Sequence, residues 1–353
     1  MTDTFAIVGY GTQGVYHTKN LAQIGGAEVK GIYDDPRANE DAEAEGLHVY
    51  SSFEEVLADS DISFIFICTP NDSHHDYAVD AMRAGKHVLC EKPAMMSSAE
   101  MEDVASVSRA TGKLFMVHQN RRWDPDFAVI KKIYNEELIG PLTYIEQRIH
   151  GSRGIPGDWR QKPEKGGGMI LDWGVHTVDR LLLMVESPVT SVYATRSFVA
   201  GHEVDDGFKA YLTFANGLRA LVDVSTNAYI TLPKFYVQSA TGTAVIEDWE
   251  MNGYMIRRTG APEDDATPIQ AGVGLTPRIM DYAAMASTTP LVEKLPLPKV
   301  HTDVMEFYRN ALAASRGEQE PVITNESVIR CLRILEAIEQ SDLTGEVIHP
   351  ELA

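Results

Sequence analysis

The sequence predicts an α/β chain with a doubly wound parallel sheet, followed by an α+β unit built on a large, mostly antiparallel sheet. Three observations point there. The first 120 residues alternate short, almost wholly apolar runs with amphipathic stretches, and such runs are strands covered on both faces. From about residue 190 strand-like runs follow one another, with hairpin turns expected at Asn216-Gly217 and Thr241-Gly242. At 353 residues the chain exceeds one small core and suits two domains. We place them at 1–120 and 121–353.

In order, "TFAIVG", "EVKGIY", "ISFIFIC", "HVLC" and "KLFMVH" read as the strands of the first unit. Between them "GVYHTKNLAQIG" and "HDYAVDAMRAG" carry apolar residues at helical intervals, each with a terminal glycine as its expected stop. The second unit opens with "DPDFAVIKKIYNEELIG", a helix capped by Asp124 with Pro125 at its first position. "LTYIEQRIHG" is a strand. "SVYATRSFVA", "FKAYLTFANG", "LRALVDVSTNAYI", "KFYVQSA" and "TAVIEDWE" continue the sheet, and 259–300 reads as loop. Two amphipathic helices, about 303–315 and 325–340, close the chain and are expected to pack back on the first unit.

Composition excludes several roles. A formal charge of −20, with no basic run, repels a phosphate backbone, so no nucleic-acid partner is expected. No apolar run approaches the roughly 18 residues that span a bilayer, and the N-terminus lacks the basic start of a signal peptide. Cys68, Cys90 and Cys331 form an odd set, read as buried thiols in a reducing cytoplasm rather than disulfides or a zinc site.

"FAIVGYGTQG" holds Gly9, Gly11 and Gly14 as G-x-G-x-x-G between a strand and a helix, and Asp34 lies about 20 positions past Gly14. Gly9 permits the tight turn, Gly11 admits a pyrophosphate to the backbone, and Gly14 allows close helix packing. Thr12 and Gln13 complete the loop, at a helix N-terminus that favours phosphate. Asp34, backed by Asp35, should bind ribose hydroxyls and repel a 2′-phosphate. NAD is therefore expected over NADP, with Arg37 softening the preference.

"GGGMILDWGVHTVD" places Asp172, His176 and Asp179 at helical spacings of four and three, on one face. Read from the helix alone, His176 is as readily a core histidine held by Asp172 or Asp179 as a proton acceptor. Three ligands on one face would also suit a metal, but no further Cys or His motif completes a set, and no metal is expected.

With "CTPNDSHH" and "CEKP", these motifs make the chain resemble the Gfo/Idh/MocA family, the relatives of glucose–fructose oxidoreductase and inositol dehydrogenase. The motifs run in order from residue 5 to about 180, and none identifies the residues beyond. The resemblance implies a Rossmann domain and a C-terminal domain whose open sheet face forms subunit contacts, hence a homodimer or homotetramer. It implies that Thr69, Asn71 and His74, with Pro70, lie beside the nicotinamide ribose, and that Glu91 and Lys92 face the cofactor, Lys92 also the substrate. Asp172 and His176 match the family's D-x-G-x-H element, with His176 in proton transfer. Asn120 and Arg121 are expected near substrate. Trp159 and Arg160, in the glycine-rich loop 151–168, offer a stacking surface and donors suited to sugars.

The chemistry follows. His176, with an intrinsic pKa of about 6.5, can accept a hydroxyl proton near neutrality. Lys92 can stabilise a developing alkoxide, and Asp172 can hold a hydroxyl or orient the imidazole. The expected function is an NAD-dependent dehydrogenase acting on a secondary hydroxyl of a polyol, sugar, glycoside (at C3) or inositol. A keto-sugar reductase and a non-catalytic NAD-binding sensor are the alternatives.

Overall fold

This computed structural model describes residues 2–34, 42–43, 46–259 and 292–350. Six strands, β1 (Asp3–Val8), β2 (Ala27–Tyr33), β3 (His48–Val49), β4 (Phe64–Ile67), β5 (His87–Cys90) and β6 (Phe115–Val117), form one sheet in the order β3-β2-β1-β4-β5-β6. Every pairing in it is parallel. The helices α1 (Thr12–Leu21), α2 (Phe53–Ala58), α3 (His74–Arg83) and α4 (Ser98–Thr111) connect them. "FIFI" of β4 is wholly buried, as an inner strand covered on both sides must be. Strand order reverses between β1 and β4, and the crevice at their carboxyl ends is where such sheets bind ligands.

The second sheet holds β7 (Leu142–His150), β8 (Val189–Ser197), β9 (Gly207–Phe214), β10 (Arg219–Ser225), β11 (Phe235–Ser239), β12 (Gly242–Ile246), β13 (Gly253–Arg258) and β14 (Val292–Pro296). Their order is β14-β13-β12-β11-β7-β10-β9-β8, antiparallel except for β7 beside β10. In β9, Phe208, Ala210 and Leu212 are buried while Lys209 and Tyr211 are exposed, the period-two signature of a sheet with one open face. Tyr211 is in register with exposed Tyr193, and its hydroxyl lies 3.0 Å from that of Tyr144.

The helices α5 (Pro125–Asn135), α6 (Val175–Met184), α7 (Met305–Ser315) and α8 (Asn325–Thr344) complete the chain. α7 and α8 touch the nucleotide-type unit directly: the Tyr308 hydroxyl meets His17, Glu336 accepts from Ser98, and Arg333 pairs with Glu102 at 2.8 Å.

Local details depart from expectation for physical reasons. α1 ends at Leu21, four residues short of Gly25, on a right-handed Ala22 cap. α3 does stop before Gly85, whose φ of +83° needs a glycine. Asp124 occupies the N-cap of α5, but its side chain accepts no capping bond from the helix amides; Arg121 (2.9 Å) and Arg180 (3.5 Å) claim its carboxylate instead. β14 forms within the stretch read as loop: its "VEKLP" pairs with β13, which carried too little alternation to be foreseen. The rest of that stretch, from 260 to 291, lies outside the described residues.

Candidate active site

The glycine loop is shaped as its spacing demands. Gly9 has φ +92°, and a Cβ there would fall 2.7 Å from the Cys68 carbonyl carbon; one on Gly14 would fall 2.3 Å from the Gly9 oxygen. At Gly11 a Cβ would meet nothing within 4 Å, because that face opens onto a cleft. The cleft encloses about 500 Å³, within the range of small-molecule sites. Gly9, Gly11, Thr12, Gln13 and Asp34 line one side of it, and Thr69, Asn71, Glu91 and Lys92 the next. Trp159, Arg160 and Asp172 line it as well, with Cys68, Pro70 and Asp158. One carboxylate oxygen of Asp34 accepts from the Tyr10 amide at 2.5 Å. Asp35 and Arg37 lie outside the described residues. Open backbone amides at a helix start, two glycines without room for Cβ, and an acid at the end of β2 suit a dinucleotide.

Two predicted residues, His74 and Asn71, tie loops together around the cleft. His74 is fully buried, its Nε2 2.8 Å from the Thr69 oxygen and its Nδ1 3.0 Å from the Pro93 oxygen. It staples the loop after β4 to the turn after β5. Asn71 lines the cleft, but its amide donates to the Gly166 oxygen at 2.9 Å. Together with the Lys165–Asp72 pair (2.6 Å), that bond fixes the loop of Trp159 and Arg160 against the cleft.

Lys92 extends from the end of β5 and donates to the Asp172 carboxylate at 2.7 Å and to its carbonyl at 2.9 Å. Behind it lies a buried chain that sequence reasoning missed. Asn20 donates to the Tyr308 hydroxyl (3.0 Å), which donates to His17 Nδ1 (2.8 Å), and His17 Nε2 donates to Glu91 Oε1 (2.8 Å). His118 Nδ1 donates to the same oxygen at 2.9 Å, and the Lys92 amide to Oε2 at 3.1 Å. Burial alone would raise the Glu91 carboxyl; the two imidazoles hold it well below the usual range. Burial and then His118 lower His17 to about 4, so at neutrality the His17 ring is neutral and donates to an anionic Glu91 that both imidazoles clasp. His17, Glu91 and His118 are close enough to share a metal ion, but each already has a hydrogen-bonding partner in this arrangement. The only sequence hint was a histidine three residues past the last glycine of the loop.

The catalytic-type helix begins with a π-turn over Ile170–Gly174 before α6. Asp205 holds its start: one carboxylate oxygen accepts from the Met169 and Ile170 amides, both at 3.0 Å. Burial, opposed by those amides, pushes Asp205 up to about 7. The wide turn shifts Asp172 relative to His176 and Asp179, which lie three apart on the regular helix that follows. Asp172 goes to Lys92. Asp179 is buried and bidentate with Arg122 (2.6 and 2.8 Å), a structural ion pair. His176 is 4% exposed, bonded to neither aspartate, and its Nδ1 has no partner. Burial, then Lys92, Arg121 and Arg180, pushes its pKa well down, so it is a neutral imidazole able to accept a proton. Pairing through Arg122 also removes Asp179 from the metal set considered above.

Arg121 follows Asn120 in a single 3₁₀ turn, Asn120–Trp123. Its guanidinium lies 4.4 Å from the Trp173 ring and 5.6 Å from that of Trp249. Neither Asn120, Arg121 nor His176 is among the residues lining the 500 Å³ cleft. Trp173, in contact with His176 (5.8 Å between rings), and Trp249 were missed, although Trp173 stands inside the motif itself.

A doubly wound sheet with a glycine-loop dinucleotide cleft, and a lysine–carboxylate pair at its far wall, defines an NAD(P)-dependent oxidoreductase. Residues 4–119 match the oxidoreductase family with NAD-binding Rossmann fold, and residues 127–245 match the GFO/IDH/MocA C-terminal domain. The chain belongs to the Gfo/Idh/MocA family. Its solved relatives include an NAD-binding protein from Listeria innocua, 39% identical over 99% of this chain and 97% of that one, with a TM-score of 0.88. It is 23% identical to the Bacillus subtilis scyllo-inositol 2-dehydrogenase (NADP(+)) IolW, over 98% of this chain and 95% of that protein. It is 28% identical to an inositol 2-dehydrogenase of Rhizobium meliloti, over 65% of this chain and 70% of that one. Some other curated relatives are matched over less of their length, 57% in one case and 46% in another.

Proposed function

We propose that this enzyme oxidises a secondary CH–OH group of a sugar, glycoside or inositol, with NAD preferred over NADP. The observation that carries the reading is Lys92, held on Asp172 at 2.7 Å beside the dinucleotide cleft, with the buried His176 imidazole, its Nδ1 without a partner, four residues past that aspartate. A bound NAD, held at the glycine loop and Asp34, would supply the hydride acceptor. Lys92 donates to the substrate oxygen and stabilises its developing negative charge. His176 takes the hydroxyl proton, and Asp172 orients the amine and accepts from a neighbouring hydroxyl. Asn120, Arg121, Trp159 and Arg160 are proposed substrate contacts, and Thr69, Asn71, His74 and Glu91 cofactor supports. The preference for NAD rests on Asp34, which lines the cleft at the end of β2. The relatives named as inositol dehydrogenases support a polyol-like substrate. The exposed tyrosine face of the second sheet is the proposed contact of a homodimer or homotetramer. No described helix is long and apolar enough to cross a membrane, and the three thiols are free, which suits a cytoplasmic enzyme.

Absorbance at 340 nm during incubation with NAD and a panel of inositols, hexoses and glycosides tests the reading. NADH formation that is lost in Lys92→Ala and His176→Gln is expected. No formation with any compound, and no ketone reduction in reverse, would refute it.

A further inference from the structure

A second cavity, of about 360 Å³, opens beside the catalytic-type helix. Trp173 and Trp249 line it, with Arg153 and Ser152 of the glycine-rich loop and Thr226 beyond the end of β10. Trp173 directly follows Asp172, so this cavity begins one residue from the carboxylate that holds Lys92. The two cavities share a loop, which lines the second with Ser152 and Arg153 and the first with Trp159 and Arg160.

Three features suit a ligand here. Trp249 is 53% exposed, a large apolar surface to leave in water, yet it is not loose. The Lys234 ammonium sits 3.2 Å from its ring centroid and is itself anchored on Asp126 at 2.6 Å. Trp173 is held likewise by Arg121. Rings fixed in advance lose little freedom on binding and make efficient platforms. The described lining contains no carboxylate, on a chain of net charge −20. Arg153 has no ion-pair partner among the described residues and offers a planar set of donors to hydroxyl groups.

We propose that this cavity is the subsite for the second ring of a two-ring carbohydrate, whose first ring reacts beside Lys92 and His176. The claim rests on the oxidation proposed above and narrows it: the substrate is a glycoside rather than a free hexose or inositol. The second ring lays its C–H face on the indoles of Trp173 and Trp249, and Arg153 donates to its hydroxyls.

The test compares kcat/KM for methyl hexopyranosides with that for disaccharides containing the same reacting ring, in the wild type, Trp249→Ala and Ser152→Trp. The last variant fills the cavity from an exposed loop position. The wild type is expected to favour the disaccharide by about tenfold or more, and each variant to lower that ratio by about tenfold. A wild-type ratio near unity, or one that both variants leave unchanged, overturns the subsite. Calorimetric titration of the same disaccharides into the enzyme with NADH separates the two claims. Disaccharide binding weakened by both variants, without hydride transfer to any sugar, would uphold the subsite and refute the oxidation.

Discussion

Acidification to about pH 5 should destabilise this fold through one residue, His17. Its ring is fully buried against Phe66, 3.8 Å between centroids, and donates to Glu91. In the folded chain its pKa is lowered to about 4, chiefly by burial and then by His118, whereas an unfolded histidine titrates near about 6.5. A base with a depressed folded value binds its proton more readily when unfolded. Its contribution is therefore complete above about pH 6.5 and lost as pH falls towards about 4. Over that window the loss approaches about 3 kcal/mol, of which about 2 kcal/mol has gone by about pH 5. Urea unfolding followed by tryptophan fluorescence, at neutral pH and about pH 5, measures it by linear extrapolation. Other acid-sensitive groups titrate in any variant, so the informative quantity is the difference from His17→Gln, which keeps a donor for Glu91. The wild type should lose about 2 kcal/mol more than the variant between the two pH values. Equal losses would show that His17 is not held neutral, and the proposed clasp on Glu91 would fail with it.

Ala at position 14 would bring a Cβ to 2.3 Å from the Gly9 oxygen, so Gly14→Ala should weaken NAD binding at least about tenfold in a fluorescence titration. Asp179→Ala leaves the Arg122 guanidinium buried without its bidentate partner and should cost about 3–5 kcal/mol in urea unfolding. His176→Gln should lower kcat by about 10²–10⁴. In the wild type the acid limb of kcat/KM due to His176 should lie well below pH 6.5, since burial disfavours its charged form; a limb at or above about 6.5 would contradict that burial. Asp34→Ser removes the acid from the cleft and should raise kcat/KM with NADP relative to NAD, measured by initial rates with each cofactor.

Much of this architecture was legible because local signals and global packing agree. The all-apolar "FIFI" admits only a doubly covered strand, and the glycine spacing carries its own steric reasons at Gly9 and Gly14. The Lys92–Asp172 contact joins residues from two motifs that the family resemblance had already brought to one place. What escaped depends on distance in sequence. Nothing near Asp205 announces that it will cap a helix starting 35 residues earlier, and nothing near Tyr308 points to His17, 291 positions away. Asp179 looked like a third member of a polar face from its spacing alone, and spacing says nothing of Arg122, 57 positions earlier, which pairs with it. Trp249 had no motif around it; its place follows from the Lys234 ammonium on its ring.

The π-turn at Ile170–Gly174 has a consequence for how such sites vary between related chains. One residue more or fewer in that turn would swing everything after it by about 100° around the axis. The imidazole would then face a different wall while every side chain kept its chemical identity. Inheritance at this point therefore acts on the length of the turn as strictly as on the residues flanking it. A relative carrying the same aspartate and histidine at another separation would present a dissimilar reaction centre.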